Sequence, residues 1–238
     1  MERKFGRLKS FDQRSRNYPI RKLVRGLDPV TKLWSCGKVL DQGSEGSCVG
    51  HGIAHDLIAE PTTMLWVDHA YARELYLLAQ TLDEWPGEDY EGTSVNAGFK
   101  AAKQKGLCTG WRWSFTHLDT QLGIAYTRPG VAGTNWMTGM MELDSNGFIH
   151  ATGYNEGGHC YLYIGVNPTE QYFTIHNSWG SGWGIKGRAK ISFDDCELLR
   201  SNDGEMAFME GETDIGIEPD PPDPPDPGWC KAKFSRWL

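Results

Sequence analysis

Asp41-Gln42-Gly43-Ser44-Glu45-Gly46-Ser47-Cys48 runs without a break into CVGHGIAHDLI, residues 48–58. The first stretch is a glycine-punctuated loop. The second sets Val49, Ile53, Ala54, Leu57 and Ile58 close to one helical stripe. Together they predict a loop feeding straight into a helix whose first residue is Cys48. The dipole and free amides at a helix N-terminus favour a thiolate over a thiol. The same amides can donate to a developing oxyanion, and Gln42, six residues upstream, carries a side-chain amide able to act as a second donor. A small buried cysteine filling the helix start fits these residues equally well, so the block alone leaves the nucleophile open.

Working outward, a second helix is predicted across Asp68–Leu82, with Tyr71, Leu75, Leu78 and Ala79 on one face. A third spans about Ser94 to Lys105 and stops at Gly106. After Gly130 the pattern changes to short aromatic-rich runs, VAGTNW, CYLYIGV, QYFTIHN and RAKISF, which read as strands. Helices first and strands afterwards predict an α+β protein with two segregated lobes, the arrangement in which a site commonly lies between the lobes. The domain is expected over residues 33–215. A basic arm, residues 1–32, precedes it, and a Pro/Asp-rich tail, residues 216–238, follows; its IEPDPPDPPDPGW can form neither helix nor central strand.

The chain has 238 residues, 39% hydrophobic and 23% charged, which excludes a disordered polymer. Its longest apolar runs, such as Cys160–Val166, fall far short of the roughly 18 residues of a membrane span. The opening MERKFGRLKS has no apolar run after its charges, so no secretory leader is expected and the reading is a cytoplasmic chain without a membrane partner. Six cysteines show no CxxC spacing, and reduced thiols are the expectation. The net charge of −7 is uneven: residues 1–32 carry ten Lys/Arg against three Asp/Glu, a balance of +7, leaving −14 on the rest. A nucleic-acid partner calls for a basic folded body, and this body is acidic. The arm is expected to pack on the domain surface through Tyr18, Ile20, Leu23, Val24 and Leu27 without blocking a cleft.

Among seven histidines, His159 follows Gly157-Gly158 at the start of an apolar strand, although alone it reads as a surface histidine at a turn. Asn177, after His176, is placed to accept from an imidazole N–H and fix its tautomer; His176 itself reads as structural. Cys48, His51 and His55 could share a helix face as metal ligands. They lack the Glu of HExxH and any evident fourth ligand, so packing roles are preferred and no metal or other cofactor is expected.

Taken together, Gln42-Gly43-x-x-Gly46-Ser47-Cys48, Gly157-Gly158-His159 and Asn177-Ser178-Trp179-Gly180, with Trp183-Gly184 beyond, resemble the papain-like cysteine peptidases, in that family's order. The resemblance spans roughly Trp34 to Phe208 and is closest to compact bacterial or phage-type members. It implies a two-lobed fold, a helical left lobe and an antiparallel β-barrel-like right lobe. It also implies a polypeptide substrate cleaved by Cys48, His159 and Asn177 through an acyl-enzyme thioester, with Gln42 and the Cys48 amide binding the oxyanion. Gly92, Thr93, Gly158 and Trp179 are the implied substrate-binding residues, Thr93 standing where the family has a second glycine and Trp179 shielding the His–Asn bond. Glu45 stands in place of a family disulfide cysteine and Val49 in place of the usual tryptophan. The Cys48–His159 separation of 111 residues is short of the roughly 130–150 found in papain and cathepsins, implying trimmed cleft loops. Two other functions fit the same triad: a papain-like binding or virion-associated module whose cleft is unused, and a thiol acyl hydrolase acting on cell-wall peptide.

Overall fold

The computed structural model describes residues 3–87 and 90–211. The Pro/Asp-rich tail lies outside the described residues. In chain order the elements are β1 (Lys32–Leu33), α1 (Cys48–Ile58), α2 (His69–Leu82), α3 (Val95–Gln104), β2 (Gly110–Trp113), α4 (His117–Tyr126), β3 (Gly130–Met137), β4 (Phe148–Ile149), β5 (Asn155–Asn167), β6 (Tyr172–His176), β7 (Arg188–Ser192), α5 (Phe193–Ser201) and β8 (Glu205–Glu210).

Each helix after α1 begins on a side chain that satisfies a free amide of its first turn. Asp68, Ser94, Thr116 and Ser192 accept from the N–H of Tyr71, Ala97, Asp119 and Asp195. α1 lacks such a side-chain cap. All eleven of its residues are buried, because α2 and α3 cover one side and the sheet the other. The close approach depends on Gly52: a Cβ there would come 2.7 Å from the sulfur of Cys160 on β5.

The strands form one open path, β2-β8-β3-β5-β6-β7-β4, with β1 added to β5. Every pairing on it is antiparallel except β4 with β7. The sheet separates two apolar cores. Cys160, Leu162 and Ile164 of β5 join Val49, Ile53, Leu57 and Phe99 beneath the helices. Tyr161 and Tyr163 face the other way, toward Trp136, Phe173 and Trp179. Burial on both faces explains why β5 reads as a continuous apolar run rather than an alternation.

The basic segment is built into this fold. Ile20 and Val24 are almost fully buried, and the Trp113 N–H donates to the Tyr18 carbonyl at 2.8 Å. Leu27, expected to share that packing, is 42% exposed. The clean order of helices then strands also fails in detail, since α4 and α5 are interleaved with the strands. Among the described residues no helix is long and apolar enough to cross a membrane.

Candidate active site

Cys48 is the first residue of α1, and its side chain is completely buried. The neighbouring backbones of Cys160, Gly6 and Val49 favour its thiolate form. Burial outweighs them and pushes the thiol up to about 11. The expectation of a thiol acidified by the helix N-terminus therefore does not hold in this state; desolvation wins, and Cys48 carries its proton.

His159 lies within β5, opposite Thr134 of β3, and is fully buried, not a surface residue at a turn. The strand begins four residues earlier, at Asn155. Its Nε2 stands 2.8 Å from Asn177 Oδ1. That oxygen also accepts from the Ser178 N–H at 2.8 Å. An amide oxygen held by one donor accepts the second as well, so Nε2 carries the ring proton and Nδ1 is the free lone pair. Nδ1 is buried without a hydrogen-bond partner. Trp179 lies 4.9 Å from the imidazole and Trp136 meets it edge-on at 4.9 Å. Burial holds His159 down to about 4, against the pull of the Asn177 bond and with help from the positive charge of Arg3.

Gln42 joins the same cluster from the loop before α1. Its N–H donates to the Ser178 carbonyl at 2.9 Å and its Oε1 accepts from Ser178 Oγ at 2.7 Å. Thus Ser178, not singled out from the sequence, orients both Asn177 and Gln42. Gln42 Nε2 is left to donate to the carbonyls of Glu45, at 2.9 Å, and Lys4, at 3.1 Å.

Lys4 belongs to a segment that the sequence reading placed elsewhere. Residues 3–9, RKFGRLK, pass between the loops that precede α1 and α3 on one side and Gly158 and His159 of β5 on the other. The Gly6 carbonyl accepts from the Thr93 N–H at 2.8 Å, and the Leu8 N–H donates to the Thr93 carbonyl at 2.9 Å, a parallel bridge centred on Arg7. The Arg7 N–H donates to the Gly158 carbonyl at 2.8 Å. Phe5 meets His159 edge-on at 5.8 Å and Trp179 at 6.0 Å. Arg3 bonds both Asp41 Oδ1 and the Trp179 carbonyl. Two glycines permit the passage: a Cβ at Gly6 would fall inside the Gly46 carbonyl, and one at Gly92, where φ is +100°, inside the Gly6 carbonyl. The expectation that the arm leaves the cleft free is overturned. The legible signal was a glycine inside a basic run, RKFGRLK, that faces an acidic body.

Gly92, Thr93, Gly158 and Trp179 all line this channel, Thr93 and Gly158 through main-chain bonds and Gly92 through its lack of a side chain. The Thr93 hydroxyl turns away and donates to Asp83 at 2.6 Å. His176 pairs with the Lys38 carbonyl, as its structural reading requires. The metal alternative dissolves into separate bonds. His51 takes the Ser47 carbonyl and His69, and His55 Nε2 accepts from the Leu40 N–H. No group of metal-ligating side chains occurs among the described residues.

No family model matches the sequence, and no curated protein matches it. Solved structures do match. Xylellain, a cysteine protease from Xylella fastidiosa, superposes with a TM-score of 0.63 at 16% identity, covering 89% of this chain and 98% of its own. Digestive procathepsin L2 from Tenebrio molitor larval midgut gives 0.55 at 17% identity over 87% of this chain and 78% of its own. The proform of Amb a 11, the ragweed pollen cysteine protease, gives 0.53 at 14% identity over 82% and 70%. With its helical layer, its largely antiparallel sheet and the cleft between them, the chain has the papain-like cysteine protease fold.

Proposed function

We propose that this chain is a cysteine peptidase that hydrolyses peptide bonds of a polypeptide through Cys48, His159 and Asn177. The observation that carries the reading is the placement of the arm. A peptide carbonyl, that of Lys4, accepts from Gln42 Nε2 beside Cys48, so the cleft already holds an extended chain across the reacting groups.

In the working state His159 Nδ1 takes the Cys48 proton, giving a thiolate and an imidazolium whose Nε2–H donates to Asn177. The thiolate attacks the substrate carbonyl carbon, and the C=O pair moves onto oxygen, where Gln42 Nε2–H and the Cys48 N–H receive it. Collapse breaks the C–N bond as His159 delivers its proton to the leaving amine, forming a thioester. Water, deprotonated by His159, attacks the thioester; the acid departs and Cys48 is restored. Trp179 and Trp136 exclude water from the His–Asn bond. No metal or other cofactor enters any step. The division into an arm (1–32), a peptidase domain (33–215) and a tail (216–238) accompanies this reading.

The test is turnover of a broad fluorogenic peptide set by the full chain, with an epoxide thiol reagent and Cys48→Ala as controls. Turnover lost with Cys48→Ala, and Cys48 found labelled by mass spectrometry, supports the reading. Turnover unchanged in Cys48→Ala sinks it.

A further inference from the structure

Two histidines outside the triad meet in the core behind it. His55 stands on α1 seven residues, about two turns, beyond Cys48, and His176 immediately precedes Asn177. Both are fully buried, and their rings meet edge-on at 4.4 Å. Burial keeps the His55 ring neutral, and the neighbouring His176 and His51 add to that effect. Its Nε2 accepts from the Leu40 N–H at 3.0 Å, so the ring proton is on Nδ1, which has no hydrogen-bond partner. His176 Nε2 donates to the Lys38 carbonyl at 3.0 Å, while its Nδ1 accepts from Arg188 Nε at 3.4 Å. Arg188 Nη2 in turn donates to the Cys36 carbonyl at 2.8 Å.

Both rings thus grip one segment, residues 36–42, whose last residue is Gln42. Main-chain bonds tie that segment to the loop after Asn177: the Leu40 carbonyl accepts from the Gly180 N–H at 3.1 Å and the Gln42 N–H donates to the Ser178 carbonyl at 2.9 Å. The His55 bond ties it to the helix of Cys48. An unpartnered buried N–H costs at least as much as one neutral hydrogen bond returns, so stability does not account for this contact. What it fixes is a spacing, between the helix that carries the nucleophile and a donor two residues past Leu40. Resting on the peptidase reading, we infer that His55 is a positioning residue: by holding the Leu40 N–H it sets the reach of Gln42 Nε2 toward the oxyanion formed at Cys48. His176 braces the ring and holds Lys38, and neither histidine takes part in the chemistry itself. An oxyanion donor must stand about 2.7–3.1 Å from the developing charge. A misplacement of about 1 Å costs on the order of 10²-fold in rate.

The experiment measures kcat of the full chain on saturating fluorogenic peptides for His55→Leu, His55→Gln, Gln42→Ala and the double variant of His55→Leu with Gln42→Ala. His55→Leu is expected to lower kcat about 10²-fold. His55→Gln, whose side-chain oxygen can accept in place of Nε2, is expected to restore most of that loss. In the Gln42→Ala background His55→Leu is expected to cost no more than about twofold, because the two act through one group. An unchanged kcat in His55→Leu, a loss that His55→Gln does not restore, or an equal loss with and without Gln42 overturns the inference. If His55→Leu does not fold, as read by its melting curve, His55→Asn replaces it, polar but too short to reach Leu40. Amide hydrogen exchange at Leu40 is read on the same variants, about tenfold faster in His55→Leu if the histidine holds the segment. An unchanged exchange rate also overturns the inference. A parent chain that cleaves no peptide removes the peptidase reading, and exchange then decides whether His55 holds the Gln42 segment. Faster exchange with kcat unchanged removes the positioning role and leaves the peptidase.

Discussion

Gln42 and Asn177 are held by one neighbour, Ser178, whose hydroxyl takes the amide oxygen of the first and whose N–H takes that of the second. This double hold leaves Gln42 Nε2 as a preorganised donor. Gln42→Ala is expected to lower kcat by about 10²–10³-fold, measured on peptide substrates alongside a melting curve that separates catalysis from folding. A second residue carries stability rather than chemistry. Asp56 is wholly buried in α1 and raised by that burial, with Arg128 bonded to its Oδ1 at 3.1 and 3.2 Å. Arg128→Leu strands the carboxylate and is expected to cost about 3–5 kcal/mol in denaturant unfolding. The contrast shows what single residues disclose. Cys48, His159, Asn177 and Gln42 stand in motifs that glycines and tryptophans punctuate, so they were legible. Ser178 stands in one of those motifs but shows its double hold only in three dimensions, and Arg128 is an ordinary polar residue whose role exists only through its distant partner Asp56, with no local pattern to mark it.

At the scale of elements, α1, α2 and α3 were readable because apolar stripes run along α2 and α3, Gly106 stops α3, and a glycine loop marks the start of α1. β5 was placed too late by five residues because Asn155–His159 contains two glycines and three polar residues, a poor strand on propensity, which pairing with β3 nevertheless holds. β8 went unread for a similar reason: EMAFME, residues 205–210, is a short run whose strand character comes from pairing with both β2 and β3. The arm was misjudged because its route depends on Gly6 meeting Gly46 and Gly92, three positions far apart in sequence. While the arm is docked, Cys48 sits near 11 and His159 near 4, so the proton stays on sulfur. Gly6→Ala is therefore expected to speed iodoacetamide alkylation of Cys48 and to move its pH midpoint down by several units, followed by mass spectrometry of the Cys48 peptide. An unchanged rate and midpoint would mean that the arm does not control the thiol.

For the whole molecule, four histidines are buried neutral: His51, His159 and His176 are each held down to about 4 and His55 well below its ordinary 6.5, all by burial. The unfolded chain takes up these protons near pH 6.5 and the folded chain does not. Stability from this source is complete above 6.5 and drains away as pH falls toward 4, by about 1.4 kcal/mol per histidine for each unit. Glu205, raised to about 7 from 4.5, works in the opposite sense, adding stability as pH falls through 7. Two raised carboxyls, Glu205 and Asp56, oppose four imidazoles, so the denaturation midpoint is expected to fall between pH 6.5 and 4; a flat profile there would refute buried neutral imidazoles. The arm itself is tethered to what it covers. Twelve residues separate Arg7 from Ile20, which is anchored in the core. A segment on so short a leash faces its cleft at an effective concentration on the order of millimolar, whatever the dilution of the protein. Substrate must outcompete this internal ligand, so the full chain should show a higher KM than Gly6→Ala at equal kcat, with the ratio independent of enzyme concentration. Such a latch sets a threshold: the molecule ignores scarce peptide and responds only where extended chains are abundant.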